Sequence, residues 1–581
     1  MSPYVAPLYF PGPLTAAARS STWALCNSCP QAVRSQRSNR FEHSPIKISL
    51  NPDKCSVYGG RDVSPPDLAQ LANVTNTKAC SSGIIVTGSP VGKRDFELQA
   101  MGEKVNDTIA LLNRFTQLAH RSKLDPAAPT IPIQRWFYIL RHCIASRVNH
   151  LLRTVPPSCT LPHAARLDKE IHDVFQQLTN IYINADTASG ALARLQTSLP
   201  IRMGGLGLPA SAHTANAAYI GSVFLTAPTM TSVIGTLELT NKPPVELAEA
   251  LTKIPESDDP QAPQLPSVST IMMTLQEDAY GYQRKLSNRV HQARQKQLSN
   301  SIADPHHKAA FLSASAQEAG ATLSAHPLGY NNSLTDVDFV LYLRSRLYAP
   351  ILSPSALIGD NPCSFPNCRA TLPVNSHLCH AYTCSSKGGI YNRHNMVRNR
   401  MYATLMVAAK GEHIQKEPNL LNDSYFADIF NNTQADAQAP RADLKITSDR
   451  DKATPHIIYI DVVCTHPTGD SKAKDQPGFA ATKAEKHKRD HYERLFNAER
   501  AKRILPLAVE TYGRIGTESK EAIDLLAKKL GGSQPNELRR RLYEQISMAL
   551  TRGNSLVIRS YVNSRLPIEL RPPWLSNMEK K

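Results

Sequence analysis

No stretch of this sequence is apolar for long enough to promise a membrane span, which needs ~20 predominantly apolar residues. The best candidate, the charge-free run from Met203 to Leu237, is broken by Gly204, Gly205, Gly207, Pro209 and Pro228 and by many Ser and Thr. It reads as packed helices with loops. The first 20 residues lack a basic start followed by an apolar core, so no secretory signal is expected. Without that route the 11 cysteines are not expected to build a disulfide framework. Internal repeats and sustained heptads are also missing. Acid is short relative to base: 49 Asp and Glu stand against 66 Lys and Arg, a net charge of +17. That balance favours a polyanionic partner, most simply nucleic acid. With 41% hydrophobic residues the chain can fill several cores, which excludes full disorder. Its 581 residues leave room for about three or four domains at ~150 residues each.

Periodicity divides the chain. Residues 1–43 are irregular, and Cys26 and Cys29 form a lone CxxC there, a weak metal signal. Ile46, Ile48 and Leu50 alternate with polar residues, turn at Asn51-Pro52-Asp53 and run on through Cys55–Tyr58, which predicts a β-hairpin. Gly83–Val86 predicts a short strand. Leu98, Met101, Val105, Ile109, Leu112 and Phe115 predict a helix. A second helix is expected over Gln134–Arg153, with Arg141, Arg147 and Arg153 available to follow a nucleic-acid backbone. Residues 240–270, rich in proline, predict a linker or surface loop. Further helices are expected around Arg284–Lys296, Asp336–Tyr348 and residues 393–410. The run Ile457–Val463, apolar on both sides of one Asp, predicts a buried central strand. A basic helix over Gly478–Arg503 and a strand over Ile504–Glu510 come next. This C-terminal region is therefore expected to be mixed α/β, with its helices largely after the strands.

Cysteines cluster at Cys363, Cys368, Cys379 and Cys384, beside His377 and His380. Zinc takes four tetrahedral nitrogen or sulfur donors from short loops. The preferred set is Cys363, Cys368, His380 and Cys384, with Cys379 and His377 as alternatives to His380. No open coordination position is evident, so the role expected is structural. Downstream, Asp443 and Asp461 fall on neighbouring strand-like segments. An Asp inside an apolar strand is costly unless paired. A divalent ion shared by two carboxylates would pair it and could activate water for phosphodiester hydrolysis. A lysine would steady the attacking water or the developing charge. The nuclease pattern PD-(D/E)XK places that lysine two residues after the second acid, where this chain has Val463. Lys483, Lys486 and Lys488 on the next helix are the substitutes. The bland alternative makes Asp443 a turn residue, Asp461 a strand end and the lysines a solvated face.

Taken in order, these segments resemble the C-terminal part of polyproteins of non-long-terminal-repeat retrotransposons that carry a restriction-like endonuclease. Ser49-Leu50-Asn51-Pro52-Asp53-Lys54-Cys55 resembles the reverse-transcriptase segment after the catalytic aspartates. Gly83–Gly92 resembles the primer-gripping hairpin. Leu140–Pro156 and Gly204–Leu208 resemble the thumb and the segment downstream of it. Cys363–Cys384 with Arg393-His394-Asn395 resembles the zinc knuckle and RHN motif. Arg441-Ala442-Asp443, Tyr459–Val462 and Glu485-x2-Lys488-x3-Tyr492 resemble the endonuclease.

The resemblance implies a multidomain α+β chain. Residues 44–95 would be a palm remnant, 96–240 a helical thumb-like region, and 241–360 a Pro-rich linker with helices. Residues 361–400 would hold the zinc knuckle and RHN motif, 401–530 a mixed α/β restriction-endonuclease-like domain, and 531–581 a C-terminal tail. It implies Asp443 and Asp461 as Mg²⁺ or Mn²⁺ ligands, Lys488 as the basic catalytic residue and Tyr492 as its support. Arg393 and His394 would contact DNA or brace the site, and Glu510 could complete it. Its partners would be DNA and an element RNA or RNA–DNA hybrid, its address the nucleus. The paired aspartates of a polymerase should precede Ser44, yet residues 1–43 hold hardly any acid. The expectation is thus a truncated element, a fragment of a longer chain or a decayed copy, which as it stands does not polymerise DNA and acts as a metal-dependent endonuclease. The alternative is a catalytically inactive nucleic-acid-binding remnant.

Overall fold

The computed structural model describes residues 56–575. Left out are 60–62, 76, 121–130, 182–187, 209, 235–244, 258–263, 274–279, 353–374 (Cys363 and Cys368 excepted), 385–388, 410–412, 429–439, 449–455, 566–570 and 573. The CxxC at Cys26, the strand expected at Ile46–Leu50 and the segment Ser49–Cys55 lie outside the described residues. What is described is mixed α and β, mostly helical, with small sheets. The chain divides into two compact units.

The first unit comprises Met1–Phe115, His142–Val174 and Pro209–Arg294. Here β1 (Ser56–Tyr58) pairs in parallel with β2 (Lys78–Cys80), a partnership the periodicity did not reveal. β3 (Gly83–Val86) and β4 (Ser89–Gly92) form a hairpin closed by Thr87 and Gly88. Both turn residues have positive φ, which suits a two-residue turn to the twist of the strands. α1 (Arg94–His120) comes after the hairpin. The helix expected over Gln134–Arg153 is interrupted: a helical stretch Ile133–Ile139 passes through a π turn at Leu140–Ile144 and a 3-10 turn at Ala145–Val148 before Asn149–Thr154. α2 (Pro157–Thr179) and α3 (Ser211–Ile234) come next. Tyr219, Ile220, Val223 and Phe224 of α3 pack on Leu247 and Ala250 of the helix Val245–Thr252 and on Leu286 and Val290 of α4 (Tyr282–Ser301). The Pro-rich 240–270 stretch is thus not simply a linker: its apolar Leu247 and Ala250 make it part of this core. Among the described residues no helix is long and apolar enough to cross a membrane.

The second unit comprises Thr116–Arg141, Phe175–Leu208 and Gln295–Lys581. α5 (Pro305–Ala314), α6 (Asp336–Arg346) and α7 (Gly389–Ala408) lead into a four-stranded sheet. Its strands are β5 (His413–Lys416), β6 (Leu444–Ser448), β7 (His456–Thr465) and β8 (Ile504–Glu510), in that spatial order. β5, β6 and β7 run antiparallel, and β8 is parallel to β7. A parallel neighbour requires a crossover, and α8 (Phe479–Phe496) supplies it. The expectation of helices after strands is therefore corrected: α7 precedes the sheet and α8 lies between its strands.

Strand alternation sorts the two faces. Leu444, Ile446, Ile458, Ile460, Val462, Leu507 and Val509 lie under Val397, Met401 and Leu405 of α7. The same core takes Ile523 and Leu526 from α9 (Thr517–Leu530) and Leu538, Leu542 and Ile546 from α10 (Pro535–Arg565). On the opposite face Tyr459 meets Tyr492, Leu495 and Phe496 of α8. Residues expected as a C-terminal tail are instead α10, because Leu538, Leu542 and Ile546 recur at intervals of four and bury one face of the helix.

Leu542→Ala, at a fully buried position, should therefore cost about 2–5 kcal/mol. A urea titration followed by circular dichroism measures it, with exposed Arg541→Ala as the near-neutral comparison.

Candidate metal centre and carboxylate pair

The Cys/His cluster is built from two loop cysteines and one tight turn. The 3-10 turn Cys379–Tyr382 carries His380, and Cys384 lies just beyond it. Leu378, immediately before the turn, is left-handed with a positive φ of 54°. Cys363 Sγ lies 3.7 Å from Cys384 Sγ, and Cys368 Sγ lies 3.6 Å from both Cys384 Sγ and His380 Nε2. All four donor atoms fall within 4.8 Å of one another. Four donors at ~2.0–2.3 Å around a tetrahedral ion stand about 3.5–3.8 Å apart, so Cys363, Cys368, His380 and Cys384 could hold a metal such as zinc. The alternatives point elsewhere. Cys379 is buried with its sulfur 3.6 Å from Tyr348 Oη. His377 stacks on the Tyr348 ring at 4.0 Å.

The second constellation straddles β6 and β7. Asp443 immediately precedes β6, and its backbone N–H donates to Ile460 O at 2.9 Å. Asp461 is central in β7, on the face toward α8. Both are buried, at 7% and 4% exposure. Asp461 Oδ2 accepts from Tyr492 Oη at 2.6 Å and sits 2.9 Å from Lys488 Nζ. Lys488 and Tyr492 are one helical turn apart, so α8 presents both to the same carboxylate. Asp443 Oδ2 accepts from the Val462 N–H at 2.7 Å and lies 3.1 Å from His394 Nε2. His394 Nε2 is also 3.0 Å from Val462 O. A carbonyl only accepts, so this nitrogen carries the hydrogen.

The electrostatics split the pair. Burial works against the charge of Asp443, but the hydrogen bond and charge of His394 and the Val462 N–H outweigh it and hold the carboxyl below its usual range. Burial pushes Asp461 up, the charge of Asp443 adds to this, and Lys488 and Tyr492 only partly offset it. His394 is raised, since Asp443 outweighs the effect of burial. Neighbouring carboxylates whose environments drive them apart mark a place where a cation or a proton is wanted.

The remaining expected residues fall in different places. Lys483 pairs with Asp470 at 2.8 Å and Lys486 is exposed, so among the three lysines Lys488 is the one that reaches Asp461. Val463 lies on the same face of β7 as Asp461 without a charge. Glu510 does not complete the pair: it is opposite Thr465 in the β7–β8 register and accepts from the Ala481 N–H at 3.1 Å, near the start of α8. Arg393 is 1% exposed and donates to Tyr382 O at 3.1 Å and Asn554 Oδ1 at 3.3 Å, so it braces rather than meets DNA. Arg141 donates to Gly207 O at 3.2 Å and Leu323 O at 2.9 Å, and burial lowers its pKa to about 10. Its guanidinium is committed to backbone carbonyls. Arg147 is exposed and Arg153 half-buried. Sequence reasoning missed Arg398, which pairs with Glu417 and lies 3.8 Å from Asp443 Oδ1. Its place one turn after His394 on α7 was the available signal. Glu485 also acts away from the pair, accepting from the Ser519 N–H at 2.9 Å and so tying α8 to the start of α9.

No protein-family model matches the chain, and a search of curated proteins finds no significant match.

Protein expressed with zinc should retain one equivalent by elemental analysis, lose it in Cys368→Ser and His380→Ala, and keep it in Cys379→Ser. In carboxyl ¹³C titrations Lys488→Met should raise the Asp461 midpoint and His394→Gln should raise that of Asp443. Because Asp443 is depressed in the folded state, its contribution is present above the unfolded value of ~3.9 and disappears as pH falls through the folded midpoint. Asp461, being raised, acts in the opposite sense and loses stability as pH climbs from the unfolded toward the folded midpoint.

Proposed function

We propose that this chain is a metal-dependent DNA endonuclease of the restriction-like kind found in non-long-terminal-repeat retrotransposons, attached to a region that resembles a reverse-transcriptase thumb. The convergence of Asp443, Asp461 and Lys488 on one buried spot carries this reading. Asp443 and Asp461 would hold Mg²⁺ or Mn²⁺. A divalent ion there supplies positive charge to the scissile phosphate and lowers the pKa of an attacking water. Lys488 stands beside the same carboxylate, where it can orient that water or offset charge developing on phosphorus. Tyr492 holds Asp461 on its other side, and His394 fixes the rotamer of Asp443. Lysine delivery from α8 is the substitute for the strand lysine that Val463 replaces.

The Cys₃His cluster is read as a structural zinc knuckle. The helical region of the first unit, with Arg147 exposed, is read as a thumb remnant that meets RNA or RNA–DNA hybrid through phosphates. Net charge of +17 supports such partners, and a nuclear address belongs to the same reading.

A supercoiled-plasmid assay tests it. With Mg²⁺ or Mn²⁺ the protein should convert supercoiled to nicked circles, EDTA should stop it, and Asp461→Ala should abolish it. Lys488→Ala should lower the rate by about 10²–10³-fold, the scale for removing one charge-stabilising donor. Salt-sensitive DNA binding without nicking in any metal would instead establish the inactive binding remnant.

A further inference from the structure

Arg393 is a buried cation whose described hydrogen bonds reach no carboxylate. Its Nη2 donates to Tyr382 O at 3.1 Å, in the turn that carries His380, and its Nη1 donates to Asn554 Oδ1 at 3.3 Å on α10. Asn554 in turn donates to Thr511 O at 2.7 Å, just past β8. Cys464, on β7, is a further partner. Gly553 leaves the room: a Cβ there would come within 2.7 Å of Arg393 Cγ. A second tie runs in parallel, because the Tyr382 ring stacks on His466, directly after β7, at 4.9 Å. The next residue on α7 is His394, which grips Asp443 and Val462 O. Consecutive helical residues point ~100° apart. One turn of α7 therefore faces the Cys₃His cluster with Arg393 and the carboxylate pair with His394.

Charge gives this arrangement a reason. A divalent ion with three thiolates and a neutral imidazole carries a net charge of −1. With metal bound, that centre would be anionic and, reached through Tyr382 O, would offer the buried guanidinium a counter-charge that no carboxylate among its described partners supplies.

We propose that Arg393 is a positioning residue that couples the Cys₃His centre to the carboxylate pair, so that metal in the centre sets the place of His394 and with it the cation affinity of Asp443 and Asp461. This rests on the endonuclease reading for its consequence, but not for its first readout. That readout is amide hydrogen exchange in the full chain, at Asp443 and Val462. Stripping zinc should speed exchange there by about 10-fold while amides of α3, in the other unit, stay unchanged. Arg393→Met should do the same with one zinc per chain still bound, and Arg393→Lys should recover part of the protection. Mn²⁺ titration should then show affinity at the carboxylates weakened about 10-fold in Arg393→Met, the scale for losing a group that orients a ligand. The nicking rate at saturating Mn²⁺ should change little. Unchanged exchange after zinc removal and in Arg393→Met overturns the proposal. Absence of Mn²⁺ binding and nicking in the zinc-loaded wild type overturns the endonuclease instead, and exchange still decides the coupling. A rate loss at saturating Mn²⁺ with unaltered affinity also overturns it.

Discussion

A carboxylate in the middle of an apolar strand has to be answered by its neighbours, and much of the second unit is arranged around Asp461. The strand that carries it is β-branched and buried on both faces, so water cannot solvate the charge. Burying it alone would cost several kcal/mol or force it to take a proton. The answer comes from the topology. β8 runs parallel to β7, a parallel pair needs a connection across one face, and the connecting helix lands on the face that holds Asp461. Lys488 and Tyr492 thus reach the carboxylate as a consequence of strand direction. Asp443 arrives from the antiparallel side, where its own backbone pairs with Ile460. It does not relieve Asp461; it adds negative charge beside a carboxyl that burial already pushes upward.

How far the sequence revealed this depends on the kind of signal. The run Ile457–Val463 announced a central strand because composition and pattern agreed. The Cys/His spacing pointed to a possible metal cluster, and geometry groups His380 with the cysteines while Cys379 and His377 meet Tyr348 instead. The family resemblance favours Lys488, while the residues alone leave Lys483 and Lys486 equally open; the crossover shows that Lys488 and Tyr492 both face Asp461. Other features were not legible. β5 is four residues, His413–Lys416, with one buried side chain, too short for alternation to register. α10 carries its apolar residues in a 31-residue helix rich in arginine, so charge masked the stripe. The commitment of Arg141 to the Gly207 and Leu323 carbonyls, and of Arg393 to the Asn554 side chain, depends on chain segments far away in sequence. An arginine on a predicted helix gives no hint of which carbonyls will surround it. The parallel pairing of β1 with β2 was hidden for the same reason.

The position of the lysine on a helix has a further consequence. On a strand, lysine and acid share one backbone and their spacing is rigid. Here they belong to different elements, so the alignment of lysine and acid passes to the rotation of α8 about its own axis. One residue inserted between Lys488 and Tyr492 would swing them ~100° further apart and leave Asp461 with a single partner. Insertions in the loop before α8 would leave that phase intact so long as Tyr492, Leu495 and Phe496 remain seated against Tyr459. Length variation should therefore be absorbed readily ahead of the helix and poorly within it.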